Sequence, residues 1–186
     1  MGKDKIKIVA FGASSSSTSI NRRFALYAAS RLRGNTDLIT PDLNDYEMPI
    51  FSVDREKKDG YPSRAHEFIR LLAKSDGIIL SLAEHNGSYT TAFKNLMDWC
   101  SRIESKFFAD KPMLLLSTSP GGRAAGFVME AAKTRFPLHG ANIVATFSLP
   151  QFSQNFDEQN GITDPQLNEG FLSGIKNLQN ALDITL

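Results

Sequence analysis

Ile6-Lys7-Ile8-Val9-Ala10-Phe11-Gly12-Ala13-Ser14-Ser15-Ser16-Ser17-Thr18-Ser19-Ile20-Asn21 passes from a branched apolar run, through a glycine and a tract of small hydroxyl residues, into a segment with helical spacing. The run Ile6 to Phe11 reads as a strand buried on both faces, and Ile20 to Arg33 reads as a helix. Working outward, apolar runs recur at Ile78 to Leu82, Met113 to Leu116 and Ile143 to Phe147, with a weaker one at Leu38 to Ile39. These predict five strands, each covered on both faces. Helical spacing fills Ser63 to Lys74, Tyr89 to Phe107 and Ala124 to Phe136, and a last helix is expected from a cap at Asp164, with Pro165 first, to about Asp183. Strand alternating with helix predicts an α/β fold, a parallel sheet with helices on both faces. Asn44 to Pro62 and Ser148 to Thr163 read as long irregular segments. No composition shift or repeat divides the chain, so residues 1–186 are expected to form one domain.

Composition narrows the function classes. The 186 residues include 21 basic and 20 acidic side chains for a formal charge of +1, which provides no strong field for nucleic acid or an anionic membrane. One cysteine, Cys100, permits neither an internal disulfide nor a multi-thiolate metal site, and His66, His85 and His139 form no recognisable ligand set. Cys100 lies on an apolar helical face and reads as core. Met1 to Lys7 lack the apolar stretch of a secretory leader, and no apolar run approaches the roughly 20 residues that cross a bilayer. A cytoplasmic protein without membrane insertion is expected.

In a doubly wound sheet, ligands bind outside the carboxyl ends of the strands where the strand order reverses. The loop after the first strand, Gly12 to Asn21, offers hydroxyls and a helix N-terminus, which together make a phosphate cradle. The bland alternative is a flexible serine tract in which Ser19 merely caps the helix. With Gly12 its only glycine, the loop is neither a Walker A loop nor a dinucleotide fingerprint. A cysteine-dependent phosphatase is excluded too, since Cys100 lies far downstream. After the third strand come Leu82-Ala83-Glu84-His85-Asn86-Gly87-Ser88-Tyr89-Thr90, and after the fourth Ser117-Thr118-Ser119-Pro120-Gly121-Gly122-Arg123. Small residues there let backbone approach a flat heteroaromatic ring. Either loop alone reads as a turn and a cap; three at adjacent strand ends point to a site.

These loops resemble those of the NADPH-dependent FMN reductases, flavodoxin-like flavoproteins that include quinone, azo-dye and chromate reductases. A Gly-Ser-x-Arg-x-x-Ser-x-Asn pattern is matched through Gly12, Ser14, Ser19 and Asn21; a Pro-Glu-Tyr-Asn pattern through Glu84 and Asn86, continuing into Lys94-Asn95, Asp98 and Trp99; and a Ser/Thr-x-Gly-Gly loop through Ser119 to Gly122. Met48 to Phe51 and Gly60 to Pro62 extend the likeness to nearly the whole chain. Ser16 stands where many members carry arginine, Ala83 replaces proline and His85 replaces tyrosine.

The resemblance implies a flavodoxin-like three-layer fold with sheet order 2-1-3-4-5, FMN as cofactor and NADPH or NADH as donor. Ser14, Ser16, Ser19 and Asn21 would hold the phosphate with the helix beginning near Ile20. Ala83, Glu84, His85, Asn86 and Gly87 would line one ring edge, and Thr118, Ser119, Pro120, Gly121 and Gly122 the pyrimidine side. A nicotinamide would deliver hydride to flavin N5 and leave before a quinone-like or other small acceptor enters, giving ping-pong kinetics with no catalytic acid or base. Arg123 would face the dinucleotide's phosphates or simply be solvated. Competing readings are an electron carrier, disfavoured by the balanced charge, and a flavin sensor. The helix after the second loop carries Phe93, Leu96, Met97, Trp99, Cys100, Ile103, Phe107 and Phe108 over an apolar arc wider than one sheet contact needs. The excess would be covered either by the loop containing Met48, Ile50 and Phe51 or, as the resemblance implies, by a second subunit in a homodimer or tetramer.

Overall fold

A computed structural model describes residues 5–184; Met1 to Asp4, part of the stretch read for a leader, and the last two residues lie outside the described range. In chain order the elements are β1 Ile6–Ala13, α1 Ile20–Ser30, β2 Thr36–Ile39, α2 Val53–Asp59, α3 Ser63–Ala73 and β3 Gly77–Leu82. They continue through β4 Glu84–His85, β5 Ser88–Tyr89, α4 Thr91–Ile103, β6 Pro112–Thr118, α5 Gly126–Arg135 and β7 Asn142–Leu149. The chain closes with α6 Phe152–Asn155, β8 Phe156–Asp157, β9 Gly161–Ile162 and α7 Pro165–Ala181. Five strands form one parallel sheet in the order β2-β1-β3-β6-β7, the expected 2-1-3-4-5 once the two short ladders β4-β5 and β8-β9 are set aside.

The period-2 pattern of the strands sorts side chains to two cores. From β1, Val9, Phe11 and Ala13 join Phe68 and Leu72 of α3, Phe93 and Trp99 of α4 and Val128 of α5, while Ile8 and Ala10 face Phe24 and Ala28 of α1 and Phe171 and Ile175 of α7. That is the three-layer arrangement. The expectation that all five strands are covered on both faces fails at the edges. Every β3 residue is buried, but β2 has no buried residue and β7 has only Leu149, because each has a neighbouring strand on one side alone. Between β6 and β7 the register slips, with Met113 opposite Ile143 and Leu114 opposite Ala145, so Val144 is an extra residue.

Several predicted boundaries move for local reasons. The helix expected from Tyr89 begins at Thr91, because Thr90 caps it and Tyr89 belongs to the β4-β5 hairpin. The helix expected from Ala124 begins at Gly126, since Ala124 and Ala125 adopt left-handed backbone with φ of 54° and 59°. Asn44 to Pro62 holds α2 rather than irregular chain, clipped to α4 by Arg102, which donates to both Glu56 oxygens at 3.0 and 3.2 Å. That hydrogen bond holds the Glu56 carboxyl below its ordinary range. Ser148 to Thr163 likewise holds the end of β7, then α6, β8 and β9.

The broad apolar arc on α4 is covered by its own chain. Phe51 stands edge-on to Trp99 with ring centroids 5.0 Å apart, and Trp99 Nε1 donates to the Pro49 carbonyl at 2.7 Å. The Asn95 amide donates to the carbonyls of Met48 and Pro49 and accepts from Phe51 N–H at 2.8 Å. The excess width therefore reports the loop, and carries no argument for a second subunit.

Candidate functional site

The first loop is shaped by its own hydroxyls. Ser14 Oγ accepts from Ser16 N–H at 3.2 Å, and Ser16 Oγ accepts from Thr18 N–H and lies 3.3 Å from Thr18 Oγ1. Ser19 Oγ accepts from Arg22 N–H at 3.2 Å and caps α1. The N–H groups of Ile20 and Asn21, in the first turn, find no acceptor among the described residues. Four hydroxyls and two free amides thus surround the positive end of the helix dipole.

Asn21 has a different position from its neighbours. It is 3% exposed, its amide nitrogen donates to the Thr118 carbonyl at 3.1 Å, and its oxygen accepts from Ser81 Oγ at 2.7 Å and Thr118 N–H at 3.1 Å. Both side-chain polar atoms are engaged across the ends of β3 and β6. Asn21 locks the strand ends to α1; its backbone N–H, rather than its amide, is what it can offer an anion.

In the second loop, Asn86 and Gly87 take φ of 52° and 74° between the paired residues of β4 and β5. Two successive left-handed residues make the tight turn that fits a two-residue hairpin, for which Asn-Gly is the favoured pair. Glu84 Oε2 accepts from Val128 N–H at 2.9 Å. This supplies a remote cap to α5, whose own N-cap residue, Ala125, has no side chain to do it. Thr90 Oγ1 donates to the Ala13 carbonyl at 2.9 Å, tying the hairpin's end to β1. Behind the hairpin, burial pushes the Tyr89 hydroxyl up to about 12.

The third loop is held equally firmly. Thr118 Oγ1 donates to the Leu149 carbonyl at 2.7 Å, and Ser117 Oγ to the Ala124 carbonyl at 2.7 Å. Ser119 Oγ donates to the Gly121 carbonyl, and the Ser119 and Gly121 carbonyls accept from Phe152 and Gln151 N–H.

These loops meet around a cleft of about 270 Å³ at the carboxyl ends of β1, β3 and β6. The structure brings to it Ser14, Ser16, Ser19, Ile20 and Asn21 from the first loop, Ala83, Glu84 and His85 from the second, and Thr118, Ser119 and Pro120 from the third. Asn86, Gly87, Gly121 and Gly122 lie outside its lining. Thr18 lines it although the sequence reading passed over it; its hydroxyl, between those of Ser16 and Ser19, was the available signal. A larger hollow of about 360 Å³ lies beyond Ser15, against Tyr46, Met48, Ile50 and Asn95. It holds none of Ser14, Ser16, Thr18 and Ser19 and lies off the N-terminus of α1, so the chemistry is assigned to the smaller cleft.

No lysine or arginine lines that cleft, and its single carboxylate, Glu84, is turned onto the α5 amide. The hydroxyls of the first loop and the open helix amides are neutral donors, which suits a phosphomonoester bearing about −1.5 to −2 charges. Among the described residues no cluster of metal-ligating side chains occurs, and no helix is long and apolar enough to cross a membrane. Cys100 is remote from this chemistry, and burial pushes its thiol up to about 12.

A family model for NADPH-dependent FMN reductase matches residues 6–154, which includes all three loops. The chain belongs to the NADPH-dependent FMN reductase family. Within it, the chain is 28% identical over 136 residues to an NADPH:quinone oxidoreductase of Arabidopsis thaliana, covering 71% of this chain and 68% of that one. It is 30% identical over 156 residues to an uncharacterized protein of Mycoplasma pneumoniae, covering 81% and 91% of the two chains. In structure it is similar to the flavoenzyme NAD(P)H:(acceptor) oxidoreductase FerB of Paracoccus denitrificans. There the TM-score is 0.75 at 18% identity, over 96% of this chain and 97% of that one, a likeness of fold. The donor set of the cleft fits the cofactor of this FMN reductase family: free helix amides and neutral hydroxyls converge at the N-terminus of α1, and the one carboxylate in the lining, Glu84, accepts from Val128 N–H.

Proposed function

We propose that this chain is an FMN-dependent oxidoreductase that takes hydride from NADPH or NADH and delivers the reducing equivalents to quinone-like or other small acceptors in the cytoplasm. The observation that carries the reading is the convergence of the Ser14, Ser16, Thr18 and Ser19 hydroxyls with the open amides of Ile20 and Asn21 at the sheet's switch point. FMN held there would supply the two-electron chemistry between donor and acceptor, the acceptor drawing its balancing proton from solvent. The protein's part is to grip and orient. The first loop would hold the phosphate, Ala83, Glu84 and His85 would bound one edge of the ring, and Thr118, Ser119 and Pro120 would form the opposite wall. Asn21 keeps these walls in register.

Ser19→Asp separates the two duties of that residue. Aspartate is as good a helix cap as serine, so stability in urea should stay within about 0.5 kcal/mol of the parent. The new charge faces the phosphate, so FMN should bind at least ~10-fold more weakly while riboflavin, which lacks the phosphate, is little affected. Equal losses for both ligands in a fluorescence titration would remove the phosphate from this loop.

A cleft of about 270 Å³ is at the small end of ligand-site sizes and leaves a flavin ring partly open to water. We assign its roof to a second copy in a homodimer, or two such pairs in a tetramer. Exposed apolar side chains, Ile50 at 68% in the wall of the outer hollow and Val53 at 49% at the start of α2, supply a surface for the contact. Sedimentation at micromolar concentration should give a species of at least twice the 20.5 kDa chain mass; a monomer with full FMN retention would overturn the assembly.

A further inference from the structure

At the opposite end of the sheet from the cleft, a hollow of about 300 Å³ lies between the C-terminal parts of α1 and α7. Close packing fixes its frame. A Cβ on Gly77, the first residue of β3, would lie 3.1 Å from Leu182 Cδ1, and one on Gly34, in the turn after α1, 3.1 Å from Ile184 Cγ2. Leu172, Ile175, Lys176 and Gln179 line the hollow from α7 at i, i+3, i+4 and i+7, one face of the helix. Buried Ile175 and Ile184 give it an apolar floor, and Arg31, Arg33 and Lys176 a cationic rim. These three cations are exposed, take part in none of the ion pairs among the described residues, and meet no carboxylate in the lining. Gln179 is the informative residue. It is 7% exposed, yet its side-chain amide has no hydrogen-bond partner among the described residues. The nearby backbone does not supply one, since the Gln179 carbonyl is taken by Leu182 and Ile184 N–H and the Ala28 and Ala29 carbonyls by Arg31 and Leu32 N–H. An unpartnered amide in so buried a place, beside three cations and an apolar floor, is a donor set suited to an amphiphilic anion.

We propose that this hollow binds a small amphiphilic anion, a carboxylate or phosphate head on a short hydrocarbon chain, at a site separate from the cleft and independent of the reductase reading. The hydrocarbon chain lies on Ile175 and Ile184 against Leu172. The head takes charge-assisted hydrogen bonds from the guanidiniums and from Lys176, and the Gln179 amide donates to one of its oxygens. A volume of about 300 Å³ holds a short chain rather than a nucleotide or a peptide helix. The occupant is a free molecule rather than a bilayer. The whole chain carries a formal charge of only +1, and three cations around a hollow fall short of the basic cluster that holds a protein to an anionic membrane.

Calorimetric titration of the full chain, with FMN added, against octanoate, octyl phosphate, octanamide and acetate tests the site. At least one of the two eight-carbon anions should bind ~10-fold or more tightly than octanamide, which lacks the charge, and acetate, which lacks the chain, should give no measurable binding. Whichever anion binds better identifies the head. Added salt should weaken the anion and leave octanamide unaffected. Arg31→Gln and Lys176→Gln should each weaken the anion by ~3-fold or more, and Gln179→Leu, of similar volume but without the amide, by ~5-fold or more. Arg31 and Lys176 are exposed and leucine suits a buried helical position, so the urea midpoint of each variant should be no lower than the parent's. In an NMR titration the Gln179 side-chain amide resonances should move with the anion while the flavin absorbance spectrum stays as it was. Affinity for both anions equal to that for octanamide, or unaltered in all three variants, overturns the site. Binding to phosphatidylglycerol vesicles without binding to either free anion assigns the cations to a membrane and overturns it too.

Discussion

Replacing Gly12 by alanine is expected to give a protein that no longer retains FMN through purification. A Cβ at this position would lie 2.4 Å from Arg22 N, 2.7 Å from Arg22 Cα and 2.8 Å from the Asn21 carbonyl carbon. All three are backbone atoms of the first turns of α1, so no side chain can swing aside; the helix itself must move away from β1. That shift carries the free amides of Ile20 and Asn21 out of the phosphate's reach and opens the packing of Phe24 and Ala25 beneath them. Overpacking of this kind costs about 1–3 kcal/mol in stability, and FMN affinity should fall by more than ~100-fold. Urea denaturation and flavin fluorescence titration measure the two effects. An affinity within about threefold of the parent would show that the close approach of strand and helix is unimportant to the site.

The second large effect belongs to Asn21→Leu, which keeps the volume and removes both polar atoms. Ser81 Oγ, Thr118 N–H and the Thr118 carbonyl then lose their partner at once in a buried place. An orphaned buried polar group costs about 1–3 kcal/mol, so a loss of ~3–6 kcal/mol is expected, comparable with the whole stability of many domains. Asn21→Asp should recover only part of it, since a carboxylate accepts from Ser81 and Thr118 N–H but confronts the Thr118 carbonyl with negative charge. The readout is the urea midpoint for both variants, with FMN present and absent. A leucine variant as stable as the parent would dismiss Asn21 as the link between strands.

What was legible in the sequence is what apolar burial writes into it. β1, β3 and β6 are continuous apolar runs because α1 and α7 cover one face and α3, α4 and α5 the other, and their order was reachable from the likeness of the loops. α2 was not legible, since none of its residues is buried and Val53 to Asp59 therefore carries no periodic signal. The β4-β5 hairpin was missed although Asn86-Gly87 is its usual turn, because strands of two residues have no alternation to read. Most of the residues expected from the three loops converge on one cleft, yet the use of their atoms was hidden. That Glu84 caps α5 and that Asn21 bridges to Ser81 and Thr118 depends on partners 44, 60 and 97 positions away. Such pairings leave no mark in local spacing.

The extra residue Val144 has a consequence for solubility. Strand β7 ends the sheet with eight residues whose outer edge has no strand partner among the described residues, a template on which another chain's extended segment can pair. A regular edge of that length invites stacking of molecule upon molecule into fibres. The slip at Val144 interrupts the even ladder and adds local twist, so an incoming straight strand finds its hydrogen bonds in step for only part of the edge. The irregularity acts as a guard against self-association through the sheet, and deleting Val144 would remove it.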